Sequence, residues 1–286
     1  MSVARGVQPL FLECDRSQVI TCWIGIAVYT TMNIWFGTWV VMNLDQAGSW
    51  PWLLVLVLTT LVALFVADVM SGVVHWATDT WFDEIMSERV ISIAREHHLH
   101  PHHIVGYGVR DYIAYSAWPT MIMLGPIGMI VTLLLTPSPV LFHLVWSMFI
   151  ISTCMYFGTY AHRLGHKRSE WAIVRLMQRC HLLIDVRHHN VHHRDNHDVR
   201  YCVITGWANY VCDRIGFWRG LERLVNRLTG AVPRENDYVW FARYQPHSPR
   251  RGKYVIGPLS PDGKAVMTVA EANGGSAHHP PGAVHS

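Results

Sequence analysis

At 286 residues the chain has room for one sizeable domain or two small ones. Its charged fraction of 15%, against the ~25% usual for soluble domains, and its apolar fraction of 51% exclude an ordinary soluble fold. A net charge of +3 gives no argument for a nucleic-acid partner, and the six Cys form neither a Cys-x-x-Cys pair nor a disulfide framework, so they read as free thiols.

Residues 1–18 carry Cys, Asp, Glu and Arg and lack a small-residue cleavage site, so they are expected to be a short cytosolic segment rather than a removable leader. Four apolar runs follow, at about 19–44, 51–76, 113–135 and 140–160, interrupted by a single carboxylate, Asp68. Crossing ~30 Å of hydrocarbon takes ~20 helical residues, so each run predicts a membrane-spanning helix. Pro119 and Pro126 predict a kink in the third.

Orientation follows from the positive charge. None of the 23 Lys and Arg falls between Ser17 and Trp76 or between Asp111 and His162. Arg5 and Arg16 precede the first run, Arg89, Arg95 and Arg110 lie between the second and third, and the rest follow the fourth. The positive-inside rule therefore places the N-terminus, the 77–112 loop and everything after the fourth span in the cytosol. Residues 162–243 read as a cytosolic, His-rich helical cap, with amphipathic helices expected at Trp171–Met177 and Phe217–Leu228. Residues 244–286, rich in Pro and Gly, read as a disordered tail. The expected fold is all-α and multi-pass, with one membrane-embedded domain over 19–243.

The nineteen His are not scattered. His75 ends the second span, and His97, His98, His100, His102 and His103 follow in the loop. His162, His166, His181, His188, His189, His192, His193 and His197 come just after the fourth span. The charge-derived topology places all of them on one membrane face, with only His143 toward the other, as a packed polar residue. His162/His166, His188/His192, His189/His193 and His75/Asp79 are i,i+4 pairs, which project from one helix face. Asp68, Gly72, His75 and Asp79 share a stripe, and a carboxylate inside a membrane helix reads as functional. One role for it is to accept the free ring N–H of a ligating His.

The chemistry of the set narrows the metal. Cys is absent from it, which argues against a structural Cys/His zinc site. Eight or more His exceed what one ion uses, so two metals are the natural count. An all-imidazole pair beside a bilayer points to iron and O2 chemistry on an alkyl or acyl chain. By contrast, His100, His102 and His103 read as a solvated loop, and Arg163, Lys167 and Arg194 as phosphate candidates or ordinary cytosolic-side charges.

At Ala67–Trp81, Arg95–His98, His162 with His166, Arg187–His193, Thr205–Tyr210 and Ile215–Glu222 the sequence resembles the plasmanylethanolamine desaturase (Kua/CarF) family. More distantly it resembles plant desaturases of the fatty acid desaturase 4 type. The resemblance covers about 67–237. It departs at Ser116, where an Asn is expected, and at the extra His of the 99–103 stretch. It implies metal ligands at His75, His97, His98, His162, His166, His189, His192 and His193, with His188, His197, Asp79 and Asp68 as additional or supporting candidates. It also implies two iron ions, O2 as co-substrate, a membrane phospholipid substrate and an external electron donor resembling cytochrome b5 or ferredoxin. The implied activity is vinyl-ether formation in the 1-O-alkyl chain of an ether phospholipid, converting plasmanyl to plasmenyl lipid. An acyl-lipid desaturase or hydroxylase and a non-catalytic membrane metal-binding protein are the rival readings. The implied location is the bacterial inner membrane or the endoplasmic reticulum.

Overall fold

The computed structural model of the protein describes residues 16–48, 50–81, 97–98, 101, 103–106, 109–167, 169, 171–194 and 197–233. The expectations for residues 1–15, the 82–96 stretch, His100, His102 and the 244–286 tail lie outside them. Among the described residues the protein is helical throughout and contains no strand.

Four long apolar helices form the membrane part: α1 (Arg16–Met42), α2 (Trp50–Thr80), α3 (Val109–Leu134) and α4 (Pro139–Tyr156). Each contains a stretch long and apolar enough to span a bilayer. α2 packs on α4, and α1 packs on both α3 and α4. Their outward positions, including Ile34, Leu54, Val62, Ile122 and Leu134, remain exposed, as lipid-facing residues must. The interior is held by Phe36, Phe142 and Val145 at one level and by Ala63, Ala67 and Ile151 at another. Polar side chains inside the bundle find partners across it: the Tyr29 hydroxyl donates to the Ser152 carbonyl at 2.7 Å, and Trp146 Nε1 donates to Thr60 at 2.8 Å. α4 begins where Ser138 caps the helix, its hydroxyl accepting from the Leu141 N–H, with Pro139 in the first turn.

Two boundaries differ from the sequence expectation, and both shape the site. The second apolar run ends at Trp76, but helix α2 continues to Thr80, because Ala77-Thr78-Asp79-Thr80 packs on the cap rather than on lipid. At 31 residues α2 is about 46 Å long, against ~30 Å of hydrocarbon, so it exceeds the length a straight span requires. The fourth run breaks at Phe157, and a separate helix α5 (Gly158–His166) carries the His162/His166 pair.

The cap continues with α6 (Ala172–Arg179), α7 (Val186–Arg194), α8 (Trp207–Arg214) and α9 (Phe217–Thr229). α6 and α9 are the two amphipathic helices expected. α9 buries Trp218, with Leu221 and Val225, against Trp76, Cys202 and Cys212. α5 packs on α7, and α8 packs on α2. The approach of the cap to α2 requires glycine at position 72, where a Cβ would lie 2.6 Å from Cys202 Sγ and 2.7 Å from the Trp218 ring.

A candidate metal centre

The cap and the end of α2 bring the eight proposed His ligands into one buried cluster. α5 contributes His162 and His166, and α7 contributes His189, His192 and His193. α2 contributes His75, and the 97–98 segment contributes the remaining two. The spacing in each helix places the rings on the side that faces the other two, and packing does the rest: His189 and His192 are wholly inaccessible to solvent.

The rings sort into two adjoining sets. In the first, the Nε2 atoms of His162, His166 and His189 form a triangle with sides of 2.9, 2.9 and 3.1 Å. His193 Nε2 lies 3.1 Å from His189 Nε2. His97 joins His162, His166 and His193 with one ligand atom each, all within 4.8 Å of one another. In the second set, Asp79 Oδ2 lies 3.2 Å from His75 Nε2, 3.3 Å from His98 Nε2 and 3.5 Å from His192 Nε2. The sets touch: the His75 ring is centred 4.7 Å from that of His162, and His97 4.4 Å from His98.

These nitrogens cannot satisfy each other. His75 Nδ1 donates to the Tyr201 carbonyl at 2.9 Å, and His192 Nδ1 donates to the Val199 carbonyl at 2.7 Å. A neutral ring with its proton on Nδ1 presents a bare lone pair at Nε2. Both lone pairs therefore face the Asp79 carboxylate, a buried arrangement that is repulsive without a cation. In the first set, three Nε2 atoms at mutual hydrogen-bond distance cannot all be paired through protons. Ligands about 2.1 Å from a common ion and at right angles to each other lie about 3.0 Å apart, which matches the triangle. Burial, reinforced by the neighbouring imidazoles, holds His97, His162, His189 and His193 well below the ordinary histidine range. The rings therefore stay neutral, the form that binds metal. The residues present fit two metal ions, one held by imidazoles alone and one by three imidazoles and a carboxylate.

The supporting candidates fall differently. Asp79 belongs to the second set itself. His197 stacks on His98 with ring centres 4.0 Å apart, and it adopts a left-handed backbone, φ 56°. His188 points away from the cluster: its ring accepts from Asn209 Nδ2 at 2.9 Å and contacts Arg200. Among the described residues no hydrogen bond joins Asp68 to an imidazole, in place of the role expected for it as a partner of a ligating ring. Its Oδ1 accepts from the main-chain N–H groups of Ile204, Thr205 and Gly206 at 2.9–3.1 Å, and its Oδ2 from Ala208 at 3.0 Å. It thus anchors the start of α8 to α2, while the carbonyls of Tyr201 and Val199 do the orienting expected of Asp68. Main-chain acceptors leave no residue-type signal in a sequence. Arg163, proposed for phosphate, donates to the Val105 carbonyl at 3.0 Å. His143 lies apart, stacked on Trp52.

Residues 64–236, which hold every ligand candidate, match the family model described as the lipid desaturase domain. The chain is 32% identical to mouse plasmanylethanolamine desaturase 1 over 209 residues, 70% of this chain and 75% of that one. It is 31% identical over 175 residues to a probable fatty acid desaturase of Acanthamoeba polyphaga mimivirus, covering 60% of this chain and 83% of that one. It is 26% identical over 243 residues to the plasmanylethanolamine desaturase of Myxococcus xanthus, covering 82% of this chain and 79% of that one. No solved structure matches.

Proposed function

The chain belongs to the lipid desaturase family, and from that premise we propose that it is a di-iron enzyme that forms the vinyl-ether double bond of an ether phospholipid. The carrying observation is the pair of adjoining, buried imidazole sets at the end of the membrane helices. The two mouse and Myxococcus relatives named for action on a plasmanyl lipid support the substrate.

His97, His162, His166, His189 and His193 would hold one iron, and His75, His98, His192 and Asp79 the other. Iron in such sites supplies the activation of O2 needed to break unactivated C–H bonds. In the overall reaction two adjacent CH2 groups become a CH=CH pair. With two electrons and two protons from an external donor, O2 leaves as two waters. The protein's own contribution is placement and exclusion. The carbonyls of Tyr201 and Val199 fix the tautomer and direction of His75 and His192. Burial of the rings keeps bulk water from the centre. The projection of α2 beyond the bilayer brings the centre to the membrane surface, within reach of a lipid chain entering from the side. With both termini and the cap in the cytosol, a soluble or membrane-tethered electron carrier has access to that face.

The test is lipid mass spectrometry, with and without acid, on cells that express the protein and contain 1-O-alkyl phospholipids, beside a His192→Ala control. Acid-labile species two mass units below the alkyl precursor, absent in the control, are expected. A new acid-stable unsaturation or hydroxyl with an unchanged ether pool would replace the vinyl-ether assignment by an acyl-lipid reaction.

A further inference from the structure

Behind the second metal set lies a pair of buried thiols that the desaturation reaction leaves unused. Cys202 directly follows Tyr201, and Cys212 stands on α8. Cys202 donates its S–H to the Cys212 sulfur, which holds the Cys212 thiol below its ordinary range and Cys202 well above it. We propose that this pair is an internal two-electron reductant of the metal centre. It gives up its electrons when O2 is activated with no lipid chain in place, and becomes a disulfide. The inference rests on the reading of the centre as a di-iron desaturase and adds a second fate for its oxidising equivalents.

A buried free Cys ordinarily serves as a small hydrophobe. Two features set this pair apart, the way the fold joins the sulfurs and the way it ties them to the metal ligands. Asn209 clamps the Cys202 peptide to α8: its Oδ1 accepts the Cys202 N–H at 2.8 Å, and its Nδ2 donates to the Cys202 carbonyl at 2.9 Å. Cys212 lies one turn further along the same buried face of α8. The Cys202 sulfur and the edge of the Trp218 ring both lie within 2.7 Å of where a Gly72 Cβ would stand, so they are neighbours across Gly72. The link to the centre is short. His75 Nδ1 donates to the Tyr201 carbonyl at 2.9 Å, and that carbonyl belongs to the peptide group that carries the Cys202 nitrogen. One hydrogen bond and a few covalent bonds therefore join a proposed ligand ring to the sulfur. The Tyr201 ring reinforces the path, centred 5.1 Å from His192 and 5.8 Å from His75. Electron transfer through protein slows steeply with distance, and a phenol and a thiol pair are the readily oxidised groups on this path.

The electron count closes. In desaturation O2 takes two electrons and two protons from the external donor and two hydrogens from adjacent CH2 groups, and leaves as two waters. Without a chain, the second pair of electrons comes from the thiols, one at a time. Both S–H bonds break and one S–S bond forms. The two protons released match the two that the waters still require. Oxidising equivalents that find neither a chain nor a thiol fall on the imidazole ligands themselves, so the pair spares the centre. In a reducing compartment such a disulfide is transient, and thiol exchange returns the pair to its starting state.

The experiment uses iron-loaded full-length protein in detergent, reduced anaerobically with stoichiometric dithionite and then mixed with O2, with or without added 1-O-alkyl phospholipid. Free thiols are blocked under acid, and the Cys202 and Cys212 peptides are mapped by mass spectrometry while O2 uptake is recorded. Without lipid, a disulfide joining Cys202 to Cys212 is expected, and metal-free protein treated alike is expected to keep both thiols. Saturating lipid is expected to abolish the disulfide as vinyl ether forms. Cys212→Ser and Cys212→Ala are expected to desaturate supplied lipid at the unaltered rate, and to lose iron and activity sooner over repeated cycles without it. Intact thiols in the unaltered protein after O2 has been consumed overturn the proposal. So does an equal disulfide in metal-free protein, a disulfide undiminished while vinyl ether forms, or inactivation of the variants no faster than that of the unaltered protein. A metal-dependent disulfide without any vinyl ether removes the ether-lipid reading alone, whereas vinyl ether with thiols that stay intact when lipid is withheld removes only the dithiol. Failure to consume O2 under either condition overturns both.

Discussion

Asp79 makes the two metal sets chemically unequal. The first set is built of neutral rings, whereas the second carries one negative charge with three imidazole nitrogens 3.2–3.5 Å from it. A carboxylate raises the affinity for a hard cation and partly neutralises its charge in a buried place. Asp79→Asn keeps the shape and removes the charge. It is expected to lower iron in the second set by at least about 100-fold in affinity, giving protein with one iron by elemental analysis rather than two. His162→Ala is expected to strip the first set instead, because its Nε2 sits in the tight triangle with His166 and His189. If either substitution left two irons bound, the assignment of that residue as a ligand would fall. The double variant is expected to hold no iron at all, and retention of one iron by each single variant separates two sets from one shared site.

Asp68 shows what a single residue does for an element. Four main-chain N–H groups at the start of α8 end on its two oxygens. Gly206 enters the turn with φ 80°, which favours glycine, and a Cβ there would lie 3.0 Å from His188 Nε2. Asp68→Ala leaves those donors buried and unpaired and is expected to cost about 2–4 kcal/mol. The loss reads as earlier release of the cap in a thermal or proteolytic unfolding series, together with loss of iron. Asp68→Asn, which keeps one acceptor oxygen, is expected to fall between. Gly72→Val is expected to act in the same direction from the other side of the contact, by pushing Cys202 and Trp218 off α2. Much of this organisation was legible beforehand. Uncharged runs disclosed the four long helices, and i,i+4 spacing disclosed the His162/His166 and His189/His193 pairs, because both signals are local periodicities; it did not disclose that His188 turns away from the cluster that holds His192. The continuation of α2 to Thr80 was not legible, since its last turn is polar and becomes helical only by packing on the cap. The orienting carbonyls of Tyr201 and Val199 were also hidden, because they act where α2, α7 and the 197–208 segment meet. Such meetings depend on tertiary contacts that no window along the chain encodes.

The proposed metals and the membrane would bind the parts into one molecule. Ions that bind the folded centre but not the unfolded chain stabilise it by mass action, by about 4 kcal/mol at a thousandfold excess over Kd. Iron removal by a chelator is therefore expected to lower the melting temperature in detergent, and re-addition of ferrous iron to restore it. Topology sets which aqueous compartment supplies that iron and the electrons. The cap carries its basic residues on the same side as the imidazole sets, so the positive-inside rule predicts a cytosolic place for both. Cys180, at the end of α6, is exposed and provides a reporter on that side, whereas Cys202 and Cys212 are buried. In a bacterial host and a Cys14→Ser background, a membrane-impermeant maleimide is expected to label Cys180 in inside-out vesicles and to leave it unlabelled in intact spheroplasts, with Cys180→Ser removing the signal. Labelling in spheroplasts would invert the topology, place the metal centre outside the cytosol and exclude a cytosolic electron donor. Protection in spheroplasts joined to labelling in inside-out vesicles would place the centre on the cytosolic face, where iron and reducing equivalents are supplied.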